Sequence, residues 1–126
     1  AFIDLDRLKV INDNHGHRAG DHLLKTFGQR VAAGCEPGDL VTRIGGDEFA
    51  VVRASANGDP RESDAVWMNR LIGAATFSTT FEGGLFDVTA SCGMVNGRVG
   101  DTASSIISRA DQAMYLVKLN RSAPHR

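Results

Sequence analysis

The sequence predicts an α+β domain: a mainly antiparallel central sheet flanked by helices, an α/β sandwich. Three observations carry this expectation. Strand-like apolar runs come in two pairs joined by glycine-containing turns, as hairpins do. Longer stretches between and after them repeat their apolar residues at helical spacing. The chain has 126 residues, 42% hydrophobic and 23% charged, enough for one domain around a single core.

Taken in order, residues 1–5 read as a short buried strand ending in acids. Residues 6–14 carry Leu8 and Ile11 at i, i+3 and read as a short helical piece, broken by His15-Gly16-His17. Residues 21–33 place Leu23, Leu24, Phe27 and Val31 on one helical face, with Gly34 just past them as a C-cap. Pro37-Gly38-Asp39 is a loop. Residues 40–44 and 49–52 form a hairpin around Gly45-Gly46.

Residues 57–63 read as a polar loop, and 64–75 as a helix with Val66, Leu71 and Ile72 inward. Residues 76–81 and 85–95 form a second hairpin through Glu82-Gly83-Gly84. Residues 101–119 form a last helix, capped by Asp101 or Thr102, with Ile106, Ile107, Ala110, Met114 and Val117 apolar. Residues 120–126 are polar and expected to fray. The expected order is β-α-α-β-β-α-β-β-α, with no internal repeat.

The net charge of −1 favours no bulk electrostatic partner, so no nucleic acid is expected. No apolar run approaches the roughly 20 residues that span a bilayer, and no signal peptide is visible. Cys35 and Cys92 lack metal-site spacing and read as reduced thiols of a cytoplasmic domain. The chain opens inside an apparent strand without an initiator Met, as expected of a piece of a longer chain.

The most informative stretch is Arg43-Ile44-Gly45-Gly46-Asp47-Glu48-Phe49, followed by Ala50-Val51-Val52. A hairpin places both glycines and both carboxylates at one tip. Glycine there permits positive φ and leaves no Cβ in the way of a bulky ligand. Adjacent acids can hold a divalent cation, and a metal beside bare backbone N–H groups suits a polyphosphate.

These residues resemble the signature of the GGDEF domains, the diguanylate cyclases. Asp4-Leu5-Asp6-Arg7-Leu8-Lys9, Asn12-Asp13, Gly16-His17 and Gly20-Asp21 are similar to that family's first motif. Val88-Thr89-Ala90-Ser91-Cys92-Gly93 resembles its late strand, and Arg109-Ala110-Asp111-Gln112-Ala113-Met114-Tyr115 its last helix. The resemblance spans residues 1–126 as one domain lacking the usual N-terminal part. It implies a ferredoxin-type core like those of nucleotide cyclases and polymerase palms. It also implies condensation of two GTP to cyclic di-GMP with release of two pyrophosphates, across a head-to-head homodimer.

By the same resemblance, Asp4, the Leu5 carbonyl and Asp47 hold two Mg2+ (or Mn2+) ions per active site. Asp47, Glu48 and Lys9 are the catalytic candidates, Lys9 by neutralising phosphate charge. Asn12 and Asp21 resemble the guanine-reading pair, since a carboxylate accepts from N1–H and N2–H of guanine. Gly45, Gly46, Lys118 and Arg121 complete the expected substrate contacts. Read singly, each has a structural alternative. Asp4 is then a strand-end cap, Asp47 a turn acid, Lys9 a surface lysine, Asn12 a turn residue and Asp21 a helix N-cap.

Three departures matter. Glu36-Pro37-Gly38-Asp39 stands where many members carry Arg-x-x-Asp, so the product-inhibition site is expected to be absent. Lys118-Leu119-Asn120-Arg121-Ser122 replaces Lys-x-x-Gly-Arg-Asn, and moving Arg121 by one residue rotates it by about 100°. Leu8 replaces the usual aromatic. The surrounding motifs look like GGDEF domains that precede an EAL phosphodiesterase, with sensor modules upstream and membrane anchoring of the parent chain left open. The alternative function is a catalytically weak GTP-binding module that regulates such an EAL domain.

Overall fold

The computed structural model describes residues 1–54 and 63–122, the side chains of 121 and 122 excepted. Its elements are β1 (Phe2–Leu5), α1 (Leu8–His15), α2 (His17–Ala33), β2 (Leu40–Arg43), β3 (Glu48–Val52), α3 (Asp64–Ala75), β4 (Phe77–Phe81), β5 (Gly84–Val88), β6 (Ala90–Gly93) and α4 (Ala103–Ser122). The main sheet has the order β2-β3-β1-β6, antiparallel at every pairing. β4 and β5 form a separate two-stranded sheet. The α+β expectation holds.

β1 is buried at every position because the sheet is covered on both faces. On one face Ile3, Leu5, Phe49 and Val51 pack with Leu23, Phe27 and Val31 of α2 and Leu71 of α3. On the other, Phe2 and Ala50 pack with Ala110 and Met114 of α4. Asp4 therefore lies on the α4 face, a carboxylate inside a core strand.

Four expectations change. The 85–95 run is two strands in two sheets, interrupted at Thr89. The Thr89 carbonyl accepts from Asp6 N–H (3.0 Å) and its hydroxyl donates to the Asp6 carboxylate (2.8 Å). These bonds steer the chain off the hairpin and onto β1. α2 starts at His17, because Gly16 (φ 88°) turns the chain directly from one helix into the next. In α3, Val66 is exposed and Trp67 takes the inward place. Ile107 of α4 is exposed as well. The predicted 57–63 loop falls, up to residue 62, outside the described residues, as do residues 123–126 of the predicted fraying tail.

Local caps follow the sequence. Ser63 accepts from Val66 N–H at the start of α3 (3.2 Å). Thr102 and Ser105 cap each other reciprocally at the start of α4 (2.9 and 3.1 Å). Glu82 (φ 46°) and Gly83 (φ 81°) make the two-residue turn between β4 and β5. Cys35 and Cys92 are free thiols, and burial pushes Cys92 up to about 11.

α4 lies against β6 at Gly93. A Cβ there would stand 2.5 Å from the Met114 nitrogen and 2.9 Å from the Ala113 carbonyl carbon. No side chain can move aside, since the obstruction is helix backbone. Gly93→Ala is expected to lower unfolding free energy by about 1–3 kcal/mol, as overpacking does. Urea titration of both proteins checks this, and an unchanged midpoint would contradict it.

Candidate active site

The antiparallel register sets Asp4 opposite Glu48 and Ile3 opposite Phe49. Leu5 N–H donates to the Asp47 carbonyl (3.0 Å), so the bend before β3 is tied to the end of β1. The two strands thus deliver Asp4, Leu5 and Asp47 to one edge of the domain. Gly45 and Gly46 form the exposed bend. Neither adopts positive φ, contrary to the expectation. Their use is empty space: a Cβ at either would meet nothing within 4 Å.

Arg43, at the end of β2, closes this bend. Its Nε donates to the Gly45 carbonyl (3.0 Å) and its Nη2 to the Gly46 carbonyl (2.6 Å). The sequence reading gave Arg43 no role. A guanidinium two to three residues before a Gly-Gly bend is the local signal that points to one.

The acids crowd one cation. Lys118 of α4 is hydrogen-bonded and ion-paired to Asp4 Oδ2. Asp4 Oδ1 is buried with no donor. Burial raises the Asp4 carboxyl to about 6; Lys118 opposes this, and the nearby Asp47 carboxylate adds to it. Glu48 shares Asp4's face and is raised too, by burial and then by Asp111 of α4. Burial alone would lower Lys118, but the bond to Asp4 and the charges of Asp4, Asp47 and Asp6 hold it high. Asp111 is a second residue the sequence reading left without a role.

A cavity of about 430 Å³ opens here, lined by Leu5, Asp6, Arg7, Asp47, Thr89, Ser91 and Lys118. Asp6 accepts from Thr89 Oγ1 (2.8 Å) and Ser91 Oγ (2.6 Å) at its wall. Among the described residues no three Asp, Glu, His or Cys side chains cluster as a closed metal cage. Two carboxylates, one with an orphaned oxygen, plus a nearby backbone carbonyl fit an ion that keeps waters and takes phosphate oxygens, as Mg2+ does.

A second cavity of about 390 Å³ is lined by Asp21, Leu24, Lys25, Gly28, Gln29, Arg43 and Phe49. Asp21 lies inside α2 rather than at its start, so the N-cap alternative falls. Asn12 fills the notch at Gly20, where a Cβ would meet its Oδ1 at 1.8 Å, and that Oδ1 is buried with no donor. Lys9 is exposed in the first turn of α1 and lines neither cavity. Arg121 is in the last turn of α4, its side chain outside the described residues.

At 36–39 the acids face arginines of this same chain. Asp39 takes two bonds from Arg53 (3.1 and 3.2 Å), and Glu36 pairs with Arg53 (3.8 Å) and Arg70 (3.7 Å).

The Asp4 shift has a stability consequence. Between its ordinary value of 3.8 and about 6, the folded protein holds a proton there that the unfolded chain has released. The contribution of Asp4 to stability is therefore greatest at low pH and is lost as pH rises through this window. Metal-free protein should lose on the order of 2 kcal/mol from this group between pH 4 and 7. Asp4→Asn should remove that part of the slope. Urea unfolding of both proteins at the two pH values measures it, and parallel slopes would contradict it.

The profile of the family described as diguanylate cyclase, GGDEF domain, matches residues 1–123. Over 118 residues the chain is 32% identical to the diguanylate cyclase VdcA of Vibrio cholerae, covering 93% of this chain and 35% of that protein. It superposes on a sensory box/GGDEF family protein from Caulobacter crescentus with TM-score 0.83 and 36% identity, covering 94% of this chain and 76% of that one. The GGDEF domain of DgcB from the same organism, solved in complex with c-di-GMP, gives TM-score 0.76 and 25% identity, covering 94% and 70%. The chain spans about a fifth to a third of the first curated relatives it matches. With the signature acids gathered at the ends of the two central strands and the family profile matched over residues 1–123, the chain belongs to the GGDEF, diguanylate cyclase, family.

Proposed function

We propose that this domain condenses two molecules of GTP into cyclic di-GMP and releases two pyrophosphates. The observation that carries the reading is the pair of cavities. One is lined by Asp47, Leu5 and Lys118 beside buried Asp4, the other by Asp21. The first suits a metal-bound triphosphate and the second a purine.

In this reading Asp4, Asp47 and the Leu5 carbonyl hold Mg2+ or Mn2+, two ions per site. When bound, the metal polarises the α-phosphate and acidifies the attacking 3′-hydroxyl. Each condensation forms one O3′–Pα bond, breaks one Pα–O–Pβ bond and releases one proton and one pyrophosphate. Lys118 moves from Asp4 onto phosphate oxygens, with Lys9 and Arg121 adding positive charge. Gly45 and Gly46 leave the space the phosphates need. Glu48, with its raised pKa, supports the ribose hydroxyl or the metal from the neighbouring strand position.

Asn12 and Asp21 read guanine. Adenine lacks the N2 donor and offers an acceptor at N1, so it would leave Asp21 unpaired. One domain holds one nucleotide, so closing the ring needs a homodimer whose sites face each other. Sensor modules and an EAL domain in the parent chain would control that encounter. Among the described residues no helix is long and apolar enough to cross a membrane. A second reading, a weak GTP-binding regulator, draws support from Lys118 being tied to Asp4 and from Ser122 at the usual arginine position.

Incubation of concentrated protein with GTP and Mg2+, followed by chromatography, tests the reaction. Wild type should form cyclic di-GMP, and Asp47→Ala should lose at least a hundredfold in rate, the scale of removing one key electrostatic group. A wild type that binds GTP but stays silent even when forced to dimerise would favour the regulator.

The internal pairing of Glu36 and Asp39 supports the absence of product feedback at 36–39. Cyclic di-GMP added at tenfold excess over protein should leave the initial rate within twofold. Strong inhibition that survives Asp21→Ala, and so does not act at the base pocket, would overturn this.

A further inference from the structure

The Gly45–Gly46 bend joins residues of the two cavities: Arg43, two residues before it, belongs to one, and Asp47, directly after it, to the other. Arg43 lines the Asp21 cavity. Its guanidinium spends two N–H groups on the carbonyls of the bend, at 3.0 and 2.6 Å. The next residue after the bend is Asp47, which lines the other cavity. Beyond the bend, the Asp47 carbonyl accepts from Leu5 N–H (3.0 Å).

Nothing else described holds the glycines in place from a side chain. Neither glycine has any atom within 4 Å of where its Cβ would be, so packing does not fix the bend. The backbone bonds into it come from the Ile44 and Gly45 N–H groups, which both donate to the Glu48 carbonyl (2.8 and 3.4 Å). These close the neck of the hairpin but leave the Gly45 and Gly46 carbonyls to Arg43. An unpacked diglycine has wide conformational freedom. A planar fork with two parallel donors restricts it in a way that a single ammonium group cannot.

We infer that Arg43 is a positioning residue that couples the purine pocket to the metal-holding acid: it fixes the Gly45–Gly46 bend and thereby the place of Asp47. The inference rests on the cyclase reading of the two cavities. The fork holds the bend at the wall of the Asp21 cavity, and the bend presents Asp47 to the metal–triphosphate. Arg43 touches no reacting atom in this scheme.

Two binding measurements separate positioning from a general effect on the pocket or the fold. Guanosine, which has no phosphate, is titrated and followed by NMR shifts; GTP with Mn2+ is titrated by calorimetry. Arg43→Ala should leave guanosine affinity within threefold of wild type and weaken GTP–Mn2+ at least tenfold, approaching Asp47→Ala. Arg43→Lys, with one donor group, should fall between, and added guanidinium ion should restore part of the Arg43→Ala loss. Equal losses for guanosine and GTP–Mn2+ would make Arg43 a mere wall of the base pocket and overturn the inference. So would GTP–Mn2+ binding unchanged in both Arg43 variants while Asp47→Ala loses it. A wild type that binds neither ligand defeats the cyclase reading itself, and is recognised by that control. Should Arg43→Ala fail to fold, Arg43→Lys and Arg43→Gln carry the same comparison.

Discussion

Carboxylates from β1, the bend and β3 (Asp4, Asp47 and Glu48) converge on the ammonium group of Lys118, and Asp111 of α4 adds its charge beside Glu48. Such a cluster is unfavourable in a folded interior unless charge is supplied from outside or protons are taken up. Both responses are visible: Lys118 is drawn onto Asp4, and the Asp4 and Glu48 carboxyls hold their protons more tightly than usual. The sheet tolerates the cluster because it is locked on both faces by Ile3, Leu5, Phe49 and Val51 below and Phe2 and Ala50 above. A less completely buried β1 could relieve the repulsion by shifting register. Here a one-residue slip would exchange the two buried faces and drive Asp4 into the apolar core against α2, so the acids stay where the core places them.

This constraint explains why the site is built from backbone as much as from side chains. Asp47 is fixed through its carbonyl to Leu5, and the glycine bend through its carbonyls to Arg43. Asp6 spends its carboxylate on the Thr89 and Ser91 hydroxyls, joining β1 to β6 at the cavity wall. The charged groups that face the cavity are thus separated from the contacts that hold them. A ligand can neutralise Asp4 and Asp47 without dismantling the strands that carry them.

Much of this was legible in the sequence. Strand-like apolar runs, glycine turns and helical spacing placed β1, the β2–β3 hairpin, α3 and α4, and the motif pointed to Asp4, Asp47 and Lys118, which the fold brings near one another. What was not legible depends on long-range partners. The continuous strand-like stretch from Leu85 to Val95 gives no hint that Thr89 ends one sheet and begins another; Asp6, far away in sequence, decides that. The early start of α2 depends on Gly16 serving two helices at once. Asp111 reads as an exposed helical acid until Glu48 is placed beside it. Gly45 and Gly46 do not adopt the left-handed backbone that glycine permits; what the fold leaves at both is open space where a Cβ would stand.

The contact at Gly93 has a mechanical meaning. Helix backbone rests on strand backbone there, with no intervening side chain to change rotamer and absorb a displacement. Lys118 lies one helical turn beyond Met114, on the same stiff rod. The distance between that helix and the strand therefore sets how far the Lys118 stem must reach to Asp4, and a residue larger than glycine at 93 would lengthen that reach.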